Sequence, residues 1–91
     1  TKEKIKLDEP GLYDVLFLND NITTMEFVVK VLKQIYGKTP EQAQNITTKI
    51  HQDGQGIVGS YVHEVAEQKG IETTLAARQE NFPLQVKVKK Q

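Results

Sequence analysis

The sequence predicts an α+β fold in which three helices pack on one side of a three-stranded antiparallel sheet, in the chain order β-α-α-β-α-β. Three observations support this prediction: an apolar run rich in aromatic and β-branched residues, two helix-start signals soon after it, and a strictly alternating apolar and polar segment near the end. A chain of 91 residues can build only one hydrophobic core, so we expect a single domain over residues 11–91. Residues 1–10 alternate charges with single apolar residues, which predicts a flexible tail without a membrane span.

The first strand and the first helix are predicted within residues 12–36. Leu12–Leu18 is followed by an Asn-Asp-Asn cluster that favours a turn, which indicates a buried strand. Thr23 and Glu26 then match the S/T-x-x-E capping box, in which a hydroxyl and a carboxylate satisfy free backbone N–H groups at a helix start. Apolar residues follow at three-to-four-residue spacing and stop before Gly37, where we expect the helix to end.

A second capping signal opens the next helix. Thr39 suits the cap position, Pro40 suits the first helical position, where its missing N–H costs nothing, and Gln42 completes the box. This helix should end near Gly54. Residues 56–61 then suit a short strand, although their glycines weaken it.

The last third of the chain predicts a long helix and a final strand. Good helix formers dominate the helix, in which we expect Val65, Ala66 and Leu75 to face the core. Gly70 should cost this helix about 1 kcal/mol. The strand alternates apolar and polar residues, so one of its faces should be wet. The expected bounds are 62–80 for the helix and 84–89 for the strand.

The composition excludes several classes of function. Twelve basic residues balance twelve acidic ones, so no net charge attracts nucleic acid or anionic lipid. The absence of cysteine excludes a thiol nucleophile and thiolate metal sites, and it fits the reducing cytoplasm, where we expect the protein. Ser60, the one serine, lacks a Gly-x-Ser-x-Gly elbow, and His51 and His63 do not have zinc-ligand spacing. We therefore expect no enzyme, no metal and no cofactor.

A polar cluster remains at the end of the first strand. Asn19, Asp20 and Asn21 lie just before a helix start, and His51 comes late in the second helix. Two interpretations are open at this point. Asparagine and aspartate cap ordinary turns and a single helical histidine needs no special role, or these side chains form a binding site.

Four blocks of the sequence, in this order, resemble the ClpS family. They are residues 18–28 (Leu-Asn-Asp-Asn-Ile-Thr-Thr-Met-Glu-Phe-Val), Ile50-His51-x-x-Gly54, Gly59-x-Tyr61-x-x-Glu64-Val65-Ala66-Glu67-x-Lys69, and Pro83-Leu84. The resemblance covers residues 11–88 without an evident gap. Proteins of this family are bacterial adaptors that carry N-end-rule substrates to the ClpAP protease. They have the same α+β sandwich and no catalytic activity.

The resemblance implies three sets of functional residues. The positions that would hold the free α-amino group of a substrate are Asn19, Asp20, Asn21 and His51. The positions that would line a hydrophobic pocket for its first side chain are Phe17, Leu18, Thr23, Met25, Val28, Thr47, Ile50 and Leu84. The positions that would contact the amino-terminal domain of the ClpA ATPase are Glu64, Glu67 and Lys69. The implied partners are ClpA and peptides that start with Leu, Phe, Tyr or Trp, and the adaptor is expected to be a monomer whose tail engages the unfoldase.

Ordinary roles remain the alternative for these positions. The apolar residues could simply form the core, above all Phe17 and Val28, and a solvated helix face would account for Glu64 and Lys69. Met25 matches the family position that narrows the pocket against β-branched side chains.

Two positions depart from the family pattern. Asn21 stands where the family usually has Asp, which reduces the negative charge near a bound ammonium group, so Asn21→Asp is predicted to tighten binding. Thr47 stands where a larger apolar residue such as Met is common. This difference predicts a roomier pocket that tolerates Tyr and Trp.

Two other functions are compatible with parts of the pattern. The same sandwich resembles the carboxy-terminal domain of the ribosomal stalk protein, which is an interaction domain without an amine-binding site. A small hydrolase using His51 and Asp20 is the other, but no credible nucleophile or metal set accompanies these two residues.

Overall fold

The elements follow the predicted chain order and confirm the predicted fold class. The computed structural model describes residues 11–91, so the predicted tail over residues 1–10 lies outside the described part. The elements are β1 (Leu12–Leu18), α1 (Met25–Gln34), α2 (Pro40–Asp53), β2 (Gln55–Val62), α3 (His63–Gln79) and β3 (Gln85–Lys90). None of the helices within residues 11–91 has the length and hydropathy needed to cross a membrane.

The first strand is the centre of the sheet. The strand order is β2-β1-β3, and both pairings are antiparallel. Val15 of β1 lies opposite Gly59 on β2 and Val88 on β3. The register with β2 shifts after Val15, because Val58 is an extra residue on that strand, and its side chain is buried. The central position of β1 brings its carboxyl end next to the start of β2.

The first helix begins one residue later than the capping box predicts. Thr24 is the N-cap, and its hydroxyl accepts a hydrogen bond from the Phe27 N–H at 3.1 Å. The Thr23 hydroxyl instead donates to the carboxylate of Asp20 at 2.8 Å. The box at Thr23 and Glu26 is therefore wrong: Thr24 caps the helix, and the Thr23 hydroxyl makes a charge-assisted hydrogen bond to Asp20 instead.

The second helix begins and ends as predicted. Thr39 and Gln42 form the reciprocal capping box, with hydrogen bonds of 3.1 Å and 3.0 Å, and Pro40 lies in the first turn. Gly54 ends the helix in the left-handed region at φ 86°. Side chains are strained in this conformation, so glycine suits the position.

Small residues, rather than large ones, attach the third helix to the sheet. Ala66 is buried as predicted, but Val65 and Leu75 are 40% and 60% exposed, so the prediction that they face the core is wrong. The buried face of α3 consists of Ala66, Gly70, Thr73 and Ala77. A Cβ atom on Gly70 would lie 3.5 Å from Val86 and 3.7 Å from Val88, at ordinary van der Waals distances, so α3 packs directly against β3 at this glycine.

Candidate functional site

A backbone hydrogen bond joins the two segments that carry the predicted amine-binding residues. The Asn19 N–H, just after β1, donates to the carbonyl oxygen of Gly54 at 2.8 Å. The Gly54 N–H in turn donates to the Ile50 carbonyl oxygen at 2.9 Å, which closes the last turn of α2. Asn19 and His51, 32 positions apart in the chain, consequently line the same cavity.

The carboxylate of Asp20 organises the loop between β1 and α1. One oxygen accepts hydrogen bonds from the N–H groups of Ile22 at 2.8 Å and Thr23 at 2.6 Å, and the other accepts from the Thr23 hydroxyl. Partial burial raises the pKa of Asp20, but these hydrogen bonds, with a smaller effect of Arg78, outweigh burial and leave the pKa below its ordinary value. Asp20 is therefore an ionised turn-capping residue, as the turn interpretation predicts.

A small cavity lies where this loop meets α1, α2 and the segment before β3. Its accessible volume is about 20 Å³, which is room for about one water molecule. Its lining residues are Phe17, Leu18, Asn19, Asp20, Thr23, Met25, Val28, Thr47, Ile50, His51 and Leu84. The structure thus brings together every residue predicted for the hydrophobic pocket and all those predicted for the amine site except Asn21, which is exposed and outside the lining.

The cavity has a polar rim and an apolar interior. Asn19 and His51 are exposed, whereas Phe17 and Leu84 are almost completely buried. Met25 is 45% exposed and lies in the first turn of α1. A ligand entering here would meet hydrogen-bonding groups first and apolar side chains deeper in the cavity.

Two lining residues also belong to the hydrophobic core, as the alternative interpretation predicts. Phe17 is fully buried and packs edge-to-face on Tyr36, with 5.6 Å between the ring centroids. Val28 lies in the same core cluster. One wall of the cavity is therefore part of the packed core, and such a wall is rigid.

Thr47 is the one buried polar residue of the cavity whose side chain is unpaired. Its hydroxyl oxygen has no hydrogen-bond partner within residues 11–91, although the residue is only 2% exposed. Buried hydroxyls are usually paired, so this one requires an explanation.

The residues predicted to contact ClpA lie on the first two turns of α3, outside the cavity lining. Glu64 is exposed, and the carboxylate of Glu67 lies 3.5 Å from the imidazole of His63. Lys69 is half-buried, and its ammonium group donates to the carbonyl oxygen of Ile35 at 2.8 Å. The same group lies over the rings of Tyr36 and Tyr61, at 5.7 Å and 5.3 Å from their centroids. Lys69 therefore ties the end of α1 to α3, a structural role that the sequence did not reveal.

Residues 11–91 contain no constellation typical of a hydrolase. No three histidine, aspartate or glutamate side chains lie close enough to hold a metal ion in this part of the chain. The hydroxyl of Ser60 donates to the carboxylate of Asp14 at 2.6 Å, on β2 and away from the cavity. The carboxylate of Asp20 accepts three hydrogen bonds within its own loop.

The comparison with known proteins identifies the family. Residues 8–87 match the family model described as ATP-dependent Clp protease adaptor protein ClpS. The chain belongs to the ClpS family. It is an adaptor of the Clp protease and not an enzyme, in agreement with the prediction.

Relatives and a solved ClpS structure match almost the whole chain. The ClpS protein of Campylobacter jejuni strain 81-176 is 43% identical over 91 residues, which are 100% of this chain and 95% of the relative. The ClpS protein of Maricaulis maris is 46% identical over 91 residues, which are 100% of this chain and 84% of the relative. The structure of Agrobacterium tumefaciens ClpS2 bound to L-phenylalaninamide has a TM-score of 0.88 and 30% identity, and the match covers 91% of this chain and 100% of that one.

Proposed function

We propose that this ClpS protein binds the free α-amino group and the bulky hydrophobic first residue of N-end-rule substrates in the cytoplasm. It then delivers them to the ClpAP protease through the amino-terminal domain of ClpA. The observation that carries this proposal is that one cavity has both Asn19 and His51 on its rim and apolar residues inside. The two halves of the cavity match the two chemical features of a chain's first residue, a charged amine and a side chain.

The rim suits an ammonium group. An α-ammonium has three N–H donors and one positive charge, so it requires several acceptors, which the Asn19 amide oxygen and an unprotonated His51 imidazole can supply. The amino-terminal end of α1 carries the positive end of the helix dipole, which would repel the ammonium group. The ionised carboxylate of Asp20, with its lowered pKa, offsets this repulsion. Each charge-assisted hydrogen bond contributes about 1.5–3 kcal/mol, and an acetylated amine would lose this contribution.

The apolar lining of the interior suits a bulky hydrophobic side chain chemically, and the accessible volume of about 20 Å³ means that lining side chains must move as it enters. Burying a Leu or Phe side chain contributes about 1.5–3 kcal/mol. L-phenylalaninamide, which the A. tumefaciens relative binds, combines a free amine and a benzyl side chain with an amide in place of the carboxylate. This is the chemistry of the first residue of a peptide, and it supports the same ligand class for this chain.

Delivery to ClpA is assigned to the start of α3. Glu64 and Glu67 are exposed there and are available to a partner, while Lys69 is mostly engaged with its own neighbours. We therefore expect Glu64 and Glu67 to contribute more direct contacts with ClpA than Lys69 does.

The deciding experiment is fluorescence anisotropy of a labelled peptide that starts with Leu, compared with the same peptide acetylated at its amine. We expect binding of the free peptide alone, and at least tenfold weaker binding by Asn19→Ala and His51→Ala, as expected for the loss of one charge-assisted hydrogen bond. Asn45→Ala and His63→Ala are matched controls, since both residues are exposed and lie outside the cavity lining. If neither peptide binds, the proposal is wrong, and an interaction domain of the same fold without an amine site, like that of the ribosomal stalk protein, becomes the better description.

A further inference from the structure

We infer that Thr47 determines specificity by forming a hydrogen bond with a polar atom at the end of the first side chain, so that the pocket prefers Tyr to Phe. This inference rests on the proposed function, because it concerns the same cavity. It goes beyond the size argument, in which a threonine only leaves more room than a methionine.

Thr47 lies deeper in the cavity than the rim residues. It lies four residues before His51 on α2, so both side chains are on one face of the helix, about 6 Å apart along its axis. His51 is exposed at the rim, whereas Thr47 is 2% exposed. The path from the amine site into the cavity therefore runs along α2 toward the Thr47 hydroxyl.

The cavity gives this hydroxyl no partner of its own. Its apolar neighbours in the lining, including Phe17, Val28 and Leu84, have no side-chain donor or acceptor. A threonine in a helix commonly donates to the carbonyl oxygen four residues earlier, but the Thr47 oxygen has no hydrogen-bond partner within residues 11–91. An apolar cargo side chain would keep it buried and unpaired, which costs binding free energy.

A second buried threonine, Thr73, differs from Thr47 in that its hydroxyl forms hydrogen bonds. The Thr73 hydroxyl on α3 donates to the Lys69 carbonyl oxygen at 2.7 Å and also pairs with the phenol oxygen of Tyr36 at 2.8 Å. The core thus already contains a buried threonine–tyrosine hydroxyl pair. A tyrosine at the start of a cargo would form the same kind of pair with Thr47.

Tyr is the informative cargo residue because it differs from Phe only by a phenol hydroxyl, which can both donate and accept. Trp has one side-chain N–H, which can donate a hydrogen bond to the Thr47 oxygen. The side chains of Phe and Leu have no hydrogen-bond donor or acceptor. The expected preference for Tyr over Phe therefore comes from one atom and not from side-chain volume.

The test measures the ratio of the affinities for two peptides that differ only in a first Tyr or Phe. Thr47→Val removes the hydroxyl and keeps the shape of the side chain. We expect it to lower the Tyr-to-Phe affinity ratio about fivefold, the size of one net hydrogen bond. Thr48→Val is the matched control, since it makes the same change at the next position of α2, which is exposed and outside the cavity. The control should leave the ratio unchanged.

A second measurement uses the unaltered protein, so it does not depend on how a variant folds. A peptide that starts with 4-methylphenylalanine has a methyl group where Tyr has its hydroxyl. We expect it to bind about fivefold more weakly than the Tyr peptide. Equal affinity, or a Tyr-to-Phe ratio that Thr47→Val does not change, would overturn the inference. If the Phe peptide still binds through its free amine in either case, the proposed function stands without this inference. If no peptide with a free amine binds, both are wrong.

Discussion

The backbone N–H of Asn19 donates to the carbonyl oxygen of Gly54 at 2.8 Å, and this contact sets the position of the polar rim that we propose to bind an amine. It joins the end of β1 to the end of α2, where His51 lies in the last turn of the helix. Gly54 can present its carbonyl in this way because it adopts φ 86°, a conformation that is strained for other residues. The geometry of the site thus depends on a glycine that does not itself line the cavity.

Replacing Gly54 should test whether the position of the rim depends on this glycine. Gly54→Ala is expected to destabilise the protein by about 1–2 kcal/mol, because a side chain is strained at positive φ, and to weaken binding of a Leu-starting peptide by shifting Asn19. Gly37→Ala is a matched control, since Gly37 has φ 65°, and in both places an added Cβ would meet no atom within 4 Å. Urea unfolding should show similar destabilisation for both variants, and anisotropy should show weaker binding only for Gly54→Ala. Equal effects of the two variants on binding would contradict a role of Gly54 in the site.

Asp20 should make stability depend on pH in the acid range. Its folded pKa lies below the ordinary value of 3.8, so the folded state holds its proton less tightly than the unfolded state. The resulting stability is present above about pH 4 and is lost as the pH falls through the folded pKa. Asp20→Asn should therefore lower the free energy of unfolding by about 1 kcal/mol at neutral pH, and the difference should shrink in acid. Asp53→Asn, which removes an exposed ion pair with Lys49, should change stability little at either pH.

Peptide binding should weaken in mild acid because of His51. An imidazole that gains a proton loses the lone pair with which it accepts from an ammonium group, and it adds a repelling charge. The affinity for a Leu-starting peptide should therefore be lower in mild acid than at neutral pH. The dependence should persist in His63→Ala, where the other histidine is removed, and disappear in His51→Ala. Constant affinity of the unaltered protein from neutral pH to mild acid would argue against the assigned role.

Two substitutions at the start of α3 should distinguish a residue that contacts ClpA from a residue that stabilises the fold. Glu64→Ala removes an exposed carboxylate and should weaken binding of the ClpA amino-terminal domain, with a stability loss of only about 0.3–1 kcal/mol from its place in the first turn of α3. Lys69→Ala removes the bond to the Ile35 carbonyl oxygen and the contacts with two tyrosine rings, so it should destabilise the fold by about 1–2 kcal/mol. Calorimetric titration with ClpA and thermal unfolding measure the two effects. A stable Lys69→Ala variant with lost ClpA affinity would show that Lys69 acts mainly at the interface.

Local patterns in the sequence were sufficient for the order and bounds of most elements. The capping box at Thr39 and Gln42 and the glycine at position 54 act over a few residues, so their chemistry can be read directly from neighbouring letters. The candidate site residues cannot be predicted from such local patterns, and their assignment depends on the resemblance to the ClpS family. The apolar ones among them have the same sequence pattern as core residues. Phe17 and Val28 show why, because each is part of the core and of the cavity wall.

The fold class, the chain order of the elements and the family can therefore be predicted from the sequence, because they depend on spacing and on residue identity. Contacts between elements distant in the chain, in contrast, bury Gly70, Thr73 and Ala77 of α3 and leave Val65 and Leu75 exposed. The folded structure also pairs the Thr23 hydroxyl with the Asp20 carboxylate while Thr24 caps α1, and it leaves the Thr47 hydroxyl without a partner within residues 11–91. The burial pattern of α3 and the surroundings of Thr47 depend on atoms that meet across elements distant in the chain, which no single segment determines. The Asp20–Thr23 hydrogen bond is a local competition between acceptors and caps that residue patterns alone do not resolve.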